Sequence, residues 1–345
     1  MKKRILITGG AGFIGINTAN YLLTKKYQVI LFDNLSRKGS EENLKWFKKT
    51  WGKQFAFIQG DVVTDRTRLN RAVADVDAVI HLAAQVAVTT SVQDPHHDFL
   101  VNAQGTLHVL EAARVSLHKP LVMYASTNKV YGNMDHAEVT LTDAGYRYKQ
   151  YTAGIAEYHG VDFHSPYGCS KGAADQYVHD YARIYGLPTV VFRQSCIYGP
   201  HQFGVEDQGW VAWFVISSLL GRPITIYGDG HQVRDVLHVE DLARLYEMAI
   251  RNQKKVSGHI YNIGGGSQQA FSVLGTIGQL EKMMDKKIPY SFSRWRPGDQ
   301  KVYISHIDKI KKDMGWEPKI SFDKGLKTLV NWAQSEEKLL KRIVG

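Results

Sequence analysis

The chain begins with a short apolar segment that leads directly into a glycine-rich turn, and this junction restricts the fold more than any other feature. Residues 4–8 predict a β-strand, and the segment Gly9-Gly10-Ala11-Gly12-Phe13-Ile14-Gly15 after it satisfies the pattern G-x-G-x-x-G. Glycines here let the backbone turn tightly and approach a pyrophosphate, whose charge the N-terminus of a following helix stabilises. The junction therefore predicts a βαβ unit that binds a dinucleotide.

The next part of the chain alternates between apolar, strand-like runs and helical patterns. Such alternation predicts an α/β fold with a Rossmann-type, doubly wound parallel sheet and helices on both faces. The predicted strands are 4–8, 28–32, 55–58, 78–81, 121–124 and 189–192, and the predicted helices are 13–25, 67–74, 99–114 and 167–185. Ligands of such sheets bind beyond the carboxyl ends of the strands.

The pattern changes after Gly199-Pro200, where segments become shorter and glycine turns and aromatic residues become frequent. We predict that this part forms a smaller, mixed α/β substrate domain, with isolated strands at 224–227 and 259–263. The expected division is a cofactor-binding domain over 1–195, which also carries the reactive residues, and a substrate-binding domain over 196–345, with an intertwined boundary.

Composition argues against several classes of protein. The net charge of +10 comes from scattered lysines and arginines, without the basic, aromatic-interleaved stripe of a nucleic-acid groove. No apolar run approaches the ~20 residues of a membrane span. The two cysteines, Cys169 and Cys196, are too few for a disulfide scaffold, and the histidines lack metal-site spacing. We expect a cytoplasmic protein that binds an anionic small substrate and no metal, nucleic acid or membrane.

Asp33 ends the second predicted strand, at the distance from the glycines where an acid binds a ribose 2′-hydroxyl. Its carboxylate favours NAD over NADP because it repels a 2′-phosphate, although Arg37 and Lys38 keep NADP open. Asp61, after the third strand, either flanks the adenosine or is a helix cap or turn residue. The predicted cofactor-binding residues are Gly9, Gly12, Phe13, Ile14, Gly15, Asp33, Asn34, Ser36, Arg37, Asp61, Val62, Leu82, Ala83, Ala84, Asn102, Tyr167 and Lys171.

Tyr167 and Lys171 are spaced i, i+4, which places them on one face of a predicted helix. A tyrosine acts as a base near neutral pH only when its pKa of about 10 falls by ~3 units, or roughly 4 kcal/mol, and a nearby ammonium favours that fall. Thr127 follows a strand and can hydrogen-bond the reacting oxygen. We predict that Thr127, Tyr167 and Lys171 are catalytic. The alternative is an accidental Tyr/Lys pair on an exposed helix.

These motifs resemble those of the extended short-chain dehydrogenase/reductases that act on nucleotide sugars. The resemblance covers nearly the whole chain, and its further motifs are His81-Leu82-Ala83-Ala84, Val130-Tyr131-Gly132, Arg234–Leu242, Asn262-Ile263-Gly264 and Arg296-Pro297-Gly298-Asp299. It implies a transient C–H oxidation of a sugar nucleotide by tightly held NAD. Helices 99–114 and 167–185 are similar to those that pair subunits in this family, which implies a homodimer or homotetramer.

The residues after Thr127 separate branches of this family. The 4,6-dehydratases place an Asp-Glu pair there, whereas this chain has Asn128-Lys129, so dehydration is disfavoured. Segments 126–132 and 162–177 resemble the CDP-tyvelose/CDP-paratose 2-epimerases. That likeness implies 2-epimerisation of a CDP-sugar, which is CDP-paratose, CDP-tyvelose or CDP-glucose. It also implies that the reaction passes through oxidation at C2 and a 2-keto intermediate. The alternatives are a UDP-hexose 4-epimerase and a non-catalytic NAD-binding module.

The resemblance also implies a set of substrate contacts. Arg234 and Arg296 are candidates for the diphosphate and nucleotide end because a guanidinium fork matches phosphate oxygens, although each can instead be a surface ion-pair partner. Cys196 stands where many relatives have Asn, so these contacts cannot be copied from 4-epimerases. The predicted substrate-binding residues are Thr127, Gln194, Arg234, Arg296 and Asp299.

Overall fold

The strands of the protein form one large parallel sheet and several small sheets. The computed structural model describes residues 2–296 and 299–344. The strands within them are β1 (Arg4–Thr8), β2 (Gln28–Asp33), β3 (Phe55–Gln59), β4 (Ala78–His81), β5 (Leu121–Thr127), β6 (Val139–Thr142), β7 (Gly145–Tyr148), β8 (Thr189–Gln194), β9 (Cys196–Tyr198), β10 (Ile224–Tyr227), β11 (Val233–His238), β12 (His259–Ile263), β13 (Ala270–Ser272), β14 (Tyr290–Ser293) and β15 (Val302–Tyr303).

The large sheet has seven strands in the order β12–β8–β5–β4–β1–β2–β3, and every neighbouring pair is parallel. The chain adds strands outward from β1 through β2 to β3 and then crosses to β4 on the other side of β1. This reversal is the topological switch point at which doubly wound sheets bind ligands. The expected Rossmann-type fold is confirmed.

The helices of the described residues include those that cover both faces of this sheet and those that belong to the C-terminal part of the chain. They are α1 (Phe13–Thr24), α2 (Ser40–Trp51), α3 (Arg66–Val73), α4 (Val88–Gln93), α5 (Pro95–Phe99), α6 (Gly105–Val115), α7 (Ser165–Tyr185), α8 (Trp210–Leu219), α9 (Val239–Arg251), α10 (Gln253–Val256), α11 (Val273–Met284), α12 (Asp308–Met314), α13 (Phe322–Ser335) and α14 (Glu337–Val344). Ile5 and Ile7 pack with α1 and α9, and Leu6 packs with α3, α6 and α7. Alternate residues of β1 thus face opposite layers, as the strand repeat requires.

A separate hydrophobic core organises the C-terminal part of the chain. It is formed by residues of α8, α11, α13 and α14 together with β10 and β11. The strand β11 pairs with β9, β13 and β15, and β10 pairs with β14. Because β9 begins two residues after β8 ends, this region is joined directly to the edge of the large sheet.

Two sequence-based expectations about secondary structure are wrong. The segment 259–263 is not isolated, because it forms β12 and pairs with β8 in the large sheet, with His259 opposite Val190. The segment 224–227 is not isolated either, because it forms β10 and pairs with β14. The predicted helix over 99–114 is present, with a π-helical turn over Leu100–Gln104 between α5 and α6. In the described residues, no helix is both long and apolar enough to traverse a bilayer.

Candidate active site

The turn between β1 and α1 leaves no room for side chains. Gly9 has a φ of +67°, in the region that favours glycine. A Cβ on Gly15 would overlap the carbonyl oxygen of Gly9 and lie 2.7 Å from Cα of Gly10. Gly12 precedes α1, and no side chain among the described residues caps that helix. Its first backbone N–H groups therefore remain available to a phosphate.

A cavity of about 620 Å³ opens beyond the carboxyl ends of β1, β2, β4 and β5, within the roughly 300–1,000 Å³ typical of ligand sites. The predicted site residues that line it are Gly9, Gly12, Phe13, Ile14, Gly15, Asp33, Asn34, Ser36, Arg37, Asp61, Val62, Leu82, Ala83, Ala84, Thr127, Tyr167, Lys171 and Gln194. The glycine turn and the Tyr/Lys pair thus face one continuous space. These residues fit a dinucleotide whose phosphates lie at the turn and whose reactive end reaches Tyr167.

Asp33 fixes the geometry of the adenosine end. Its carboxylate accepts hydrogen bonds from the backbone N–H of Ala11 at 3.0 Å and of Leu35 at 2.7 Å. The side chain is 8% exposed, and burial raises the pKa of the carboxyl from its ordinary value, which these backbone hydrogen bonds oppose. A buried carboxylate at this position disfavours a 2′-phosphate. The site therefore fits NAD better than NADP.

Asp61 lies in a turn and also lines the cavity, whereas the N-cap of the helix that follows is Asp65. The Asp61 carboxylate accepts hydrogen bonds from the backbone N–H of Val63 at 2.7 Å and from Nδ2 of Asn34 at 2.6 Å. The first bond closes a local turn, and the second links the loops after β2 and β3. Asp61 therefore shapes the loop and still faces the ligand space.

Asn102 lies beside the cavity and does not line it. Its Nδ2 donates to Asp98 and to Oγ of Ser170, each at 3.1 Å, and its Oδ1 accepts from the backbone N–H of Gln85 at 3.0 Å. Gln85 does line the cavity. In this structure Asn102 therefore acts on the cavity wall through Gln85.

Tyr167 and Thr127 meet at the end of β5. The Thr127 hydroxyl hydrogen-bonds the Tyr167 phenol, and Tyr167 is 9% exposed. Burial raises the pKa of Tyr167 to about 12, whereas the Thr127 hydrogen bond and the charge of Arg37 lower it. The expectation that Lys171 lowers this pKa is not met in the protein alone. Burial outweighs the nearby positive charge.

The side chain of Lys171 is held by contacts with β5. Its Nζ donates to the carbonyl oxygen of Ala125 at 2.6 Å and lies 4.3 Å above the centre of the Tyr124 ring. Burial lowers the pKa of Lys171 to about 7, against the attraction of Asp175 and Asp98. The ammonium is therefore directed towards β5, on the wall of the cavity that Tyr167 also lines.

A buried ion pair fixes α7 against the sheet. Nε and Nη2 of Arg193 each lie 2.9 Å from a carboxylate oxygen of Asp175, one helical turn beyond Lys171. Ser126, next to Thr127, donates to the same carboxylate at 2.7 Å. These contacts join α7, β8 and β5 close to Thr127, Tyr167 and Lys171. This pair was not predicted from the sequence, although an arginine within the apolar strand β8 indicates a buried partner of opposite charge.

Arg234 and Asp299, both predicted to bind substrate, lie together outside the cavity lining. Nη2 of Arg234 is 3.6 Å from the Asp299 carboxylate. The guanidinium also donates to the backbone carbonyls of Val233 and Gln300, at 2.9 Å and 2.7 Å. Its orientation is therefore set by contacts within the protein.

Arg296 is likewise held outside the cavity lining. Its Nη2 is 2.9 Å from the carboxylate of Asp207, and its guanidinium lies 3.7 Å from the centre of the Tyr227 ring. The following residues of its motif, Pro297 and Gly298, lie outside the described residues. The surface ion-pair alternative thus describes Arg296 in this structure.

The segment around Asp207 also contacts the cofactor end. Gln208 accepts a hydrogen bond from Arg37, and both residues line the cavity. One short turn therefore lies between Arg37 and Arg296. Trp210, at the start of α8, lines the same side, whereas Phe214 of that helix is only 5% exposed and belongs to the core.

Lys129, whose presence argues against dehydration, is a further charged group near Arg234 and Asp299. Burial and the charge of Arg234 lower the pKa of Lys129 to about 8, while Asp299 and Cys196 act in the opposite direction. Cys196 lines the cavity, and burial raises the pKa of its thiol. The thiol is therefore a poor nucleophile, in agreement with a packing role.

Comparison with known proteins gives consistent matches over almost the whole chain. The family profile described as GDP-mannose 4,6 dehydratase matches residues 6–329. The chain is 43% identical to the CDP-paratose 2-epimerase of Salmonella typhi, over 96% of this chain and 99% of that protein. It is 34% identical to the dTDP-glucose 4,6-dehydratase of Neisseria meningitidis, over 96% of this chain and 93% of that protein.

A solved structure extends the likeness to three dimensions. The Thermus thermophilus UDP-glucose 4-epimerase, in complex with NAD, superposes with a TM-score of 0.81 at 30% identity. The match covers 96% of this chain and 99% of that one.

Proposed function

The chain belongs to the family described as GDP-mannose 4,6 dehydratase, a family of extended short-chain dehydrogenase/reductases, and from this membership we propose that it is an NAD-dependent 2-epimerase of a CDP-sugar. Relatives of the chain are named both as dehydratases and as epimerases, so residues at the site must distinguish the reactions. The coarser conclusion, an epimerase of nucleotide sugars, follows from the 43% identity to a 2-epimerase over nearly full length.

The observation that carries the proposal is the pair that follows Thr127. Asn128 is 8% exposed, and its Oδ1 accepts from the Thr127 hydroxyl at 3.4 Å. Lys129 is partly buried beside Arg234 and Asp299. Elimination of water across a C–C bond needs an acid and a base at this point. With an amide and a lysine in place of two carboxyls, the site can support oxidation of the sugar by NAD, assisted by Thr127, Tyr167 and Lys171, without a dehydration step.

In the proposed mechanism Tyr167 removes the proton from O2 of the sugar and later returns it. Thr127 hydrogen-bonds the Tyr167 phenol and orients O2, and Lys171 holds the cofactor ribose. NAD held in this cavity would supply a positively charged nicotinamide that favours the phenolate, and it would serve as acceptor and donor of the C2 hydride, so that the 2-keto sugar could be reduced again on its opposite face. Gln194 lines the space in which the sugar turns.

The nucleotide end requires a rearrangement of ion pairs. We assign the diphosphate to Arg234 and Arg296 and the nucleotide ribose to Asp299. Arg296 then has to exchange the Asp207 carboxylate, now at 2.9 Å, for a phosphate oxygen. The bidentate fork of arginine suits either anion, so the charge of Arg296 stays paired after the exchange.

The experiment that tests the proposal is a proton NMR time course in D₂O. CDP-paratose, CDP-tyvelose and CDP-glucose are the substrates, and UDP-glucose is the control. Inversion at C2 of a CDP-sugar with protium retained at C2 is the expected result, because the hydride returns within the site. Deuterium at C2 would show deprotonation chemistry and overturn the role of Tyr167.

A UDP-hexose 4-epimerase is the second candidate, and the structural likeness to the Thermus thermophilus enzyme favours it. Inversion of UDP-glucose at C4, with the CDP-sugars unchanged, would select it. A non-catalytic NAD-binding module is opposed by the presence of Thr127, Tyr167 and Lys171 at one cavity.

We also propose that the protein is a homodimer or homotetramer paired through α6 and α7. Tyr177 and Ile184 on α7 are 51% and 66% exposed, and Val115 at the end of α6 is 64% exposed. Sedimentation of an Ile184→Glu variant tests this pairing, and a mass equal to that of the wild type would contradict it. A cytoplasmic location is part of the same proposal, since the exposed thiol of Cys169 stays reduced there.

A further inference from the structure

A short hairpin of residues 205–208, which we call the strap, lies between the two ends of the cavity. Val205 and Gln208 pair through two backbone hydrogen bonds of 3.0 Å each, so the strap is a closed turn. Its base is tightly packed, because a Cβ on Gly204 would lie 2.9 Å from the carbonyl oxygen of Gly209. Gly209 has a φ of +80°, and α8 begins at the next residue. The strap therefore extends from a closely packed base as one unit.

The side chain of Gln208 reaches the loop that follows β2. Its Oε1 accepts a hydrogen bond from Nη2 of Arg37. The two residues are 171 positions apart in the chain, and both line the cavity that the predicted cofactor-binding residues face. Arg37 is exposed and Gln208 is half-buried, so this contact lies where the cavity opens to solvent. The hydrogen bond is therefore a bridge between the strap and the loop after β2 at that opening.

The tip of the strap is held from the opposite side. The Tyr227 hydroxyl donates to Oε1 of Glu206 at 3.1 Å. Nη2 of Arg296 lies 2.9 Å from the Asp207 carboxylate. All four of these residues lie outside the cavity lining. In this structure they can therefore act on a ligand at the cofactor end only through the strap.

We propose that Gln208 is a positioning residue that holds Arg37 at the opening of the cavity, and that the strap retains bound NAD by means of this bridge. The two partners come from loops on opposite sides of the opening, so the bridge has to break for the opening to widen. A hydrogen bond with a charged donor is stronger than one between neutral groups, which suits it to hold such a loop. The inference requires that the cavity holds NAD and makes no use of the sugar.

A direct contact between Gln208 and NAD would give a different pattern of effects. Substitutions of Gln208 and Arg37 would then change the release of NAD independently of each other. Loss of the Tyr227 hydroxyl would have no effect, because Tyr227 lies outside the cavity lining. Substitution at the remote anchor therefore distinguishes retention by the strap from a direct contact.

The experiment follows the exchange of bound NAD for ³²P-labelled NAD in the purified holoenzyme without sugar nucleotide. Gln208→Ala removes the bridge, whereas Tyr227→Phe removes the anchor at Glu206 and keeps the ring beside Arg296. Release should become about three- to tenfold faster in Gln208→Ala and about two- to fivefold faster in Tyr227→Phe. Tyr290→Phe, at a 43% exposed tyrosine of the adjacent strand β14, is the matched control and should exchange at the wild-type rate.

The exchange rate is measured because tightly held NAD remains in the purified protein after a severalfold change in its release. A release rate in Gln208→Ala or in Tyr227→Phe that does not exceed the wild-type rate would overturn the proposal. Equal acceleration in Tyr290→Phe would also overturn it, since that substitution leaves the strap and its anchors unchanged.

A double variant tests whether Gln208 acts through Arg37. Arg37→Met removes the donor of the bridge and keeps an unbranched side chain. Addition of Gln208→Ala to this variant should cause no further acceleration, because the two substitutions remove the same contact. Additive effects would overturn the positioning role. No sugar is present in these measurements, so failure of the CDP-sugar experiment would leave their results interpretable.

Discussion

The two ends of the cavity differ in the chemical groups that form them, which are mainly backbone at the cofactor end and long side chains at the substrate end. At the cofactor end the backbone dominates, with a glycine turn that admits no Cβ and an Asp33 carboxylate that accepts two backbone N–H groups. At the substrate end the functional groups are long side chains, and Arg234 and Arg296 each already pair with a carboxylate. The cofactor end is therefore preorganised, whereas the substrate end has to exchange internal contacts for ligand contacts.

Tyr167 lies where the two ends meet, and its replacement should have the largest effect. Tyr167→Phe keeps the packing but removes the proton donor and acceptor, so we expect the epimerisation rate to fall by about 10²- to 10⁴-fold. The NAD content of the purified protein should not change. Tyr158→Phe is the control, since Tyr158 is 83% exposed. A Tyr167→Phe variant that retains most of its rate would remove Tyr167 from the mechanism.

Acid should destabilise both regions of the molecule, because the large sheet and the C-terminal region each contain a buried neutral histidine, His81 in β4 and His238 in β11. Burial lowers the pKa of His81 to about 3 and that of His238 to about 4. The unfolded chain takes up these protons first, near pH 6.5, so stability falls as the pH drops from there towards the folded values. Each histidine should contribute up to about 1.4 kcal/mol per pH unit.

Urea unfolding between pH 4 and pH 7 measures this dependence. His81→Gln and His238→Gln should each flatten it, whereas His118→Gln, at a side chain that is 63% exposed, should not. An unchanged slope in both buried variants would contradict the assignment.

The rigidity of the cofactor end can be tested with one methyl group. Gly15→Ala places a Cβ against Gly9 and Gly10, so NAD binding should weaken by about 1–3 kcal/mol or more. The matched control is Gly278→Ala on α11, where an added Cβ meets nothing within 4 Å. Calorimetric titration of NAD compares the two. Equal affinities would show that the turn adapts, and the contrast between the two ends would disappear.

The smallest effects are expected at the substrate end. Arg296→Ala should raise KM for the nucleotide sugar by roughly tenfold because a charged hydrogen bond is lost, with NAD content unaffected. Asp207→Asn should lower KM severalfold, since an exposed ion pair that competes with the ligand is worth only about 0.2–1 kcal/mol. Arg342→Ala, which removes a surface pair with Glu42, is the control. If Asp207→Asn raises KM, Asp207 itself contacts the substrate.

The same contrast explains what the sequence could predict. The cofactor end depends on a contiguous motif whose glycines and strand–helix junction determine the backbone locally, so its residues could be assigned individually. Asp98 and Arg193 gave no comparable signal, because their partners on α7 are 72 and 18 residues away and meet them only in the folded protein. Arg296 was assigned by motif, but its partner Asp207 depends on the packing of two distant loops.

The misassigned strand has a similar origin. The apolar run 259–263 is a plausible strand in either region, and its periodicity does not identify a partner. Its place beside β8 depends on the packing of α9 against α1 and of α12 against β12. The pKa of Tyr167 is a further case, because burial, which a sequence does not report, outweighs the neighbouring charge.

The position of β12 has a consequence for biosynthesis. The edge of the large sheet is completed by residues 259–263, long after its first six strands have been translated. While the ribosome synthesises the intervening segment, β8 presents an unpaired edge of the kind that promotes association between chains. The nascent protein therefore passes through a long interval in which its cofactor half is incomplete, and a chain released at residue 195 would retain that exposed edge permanently.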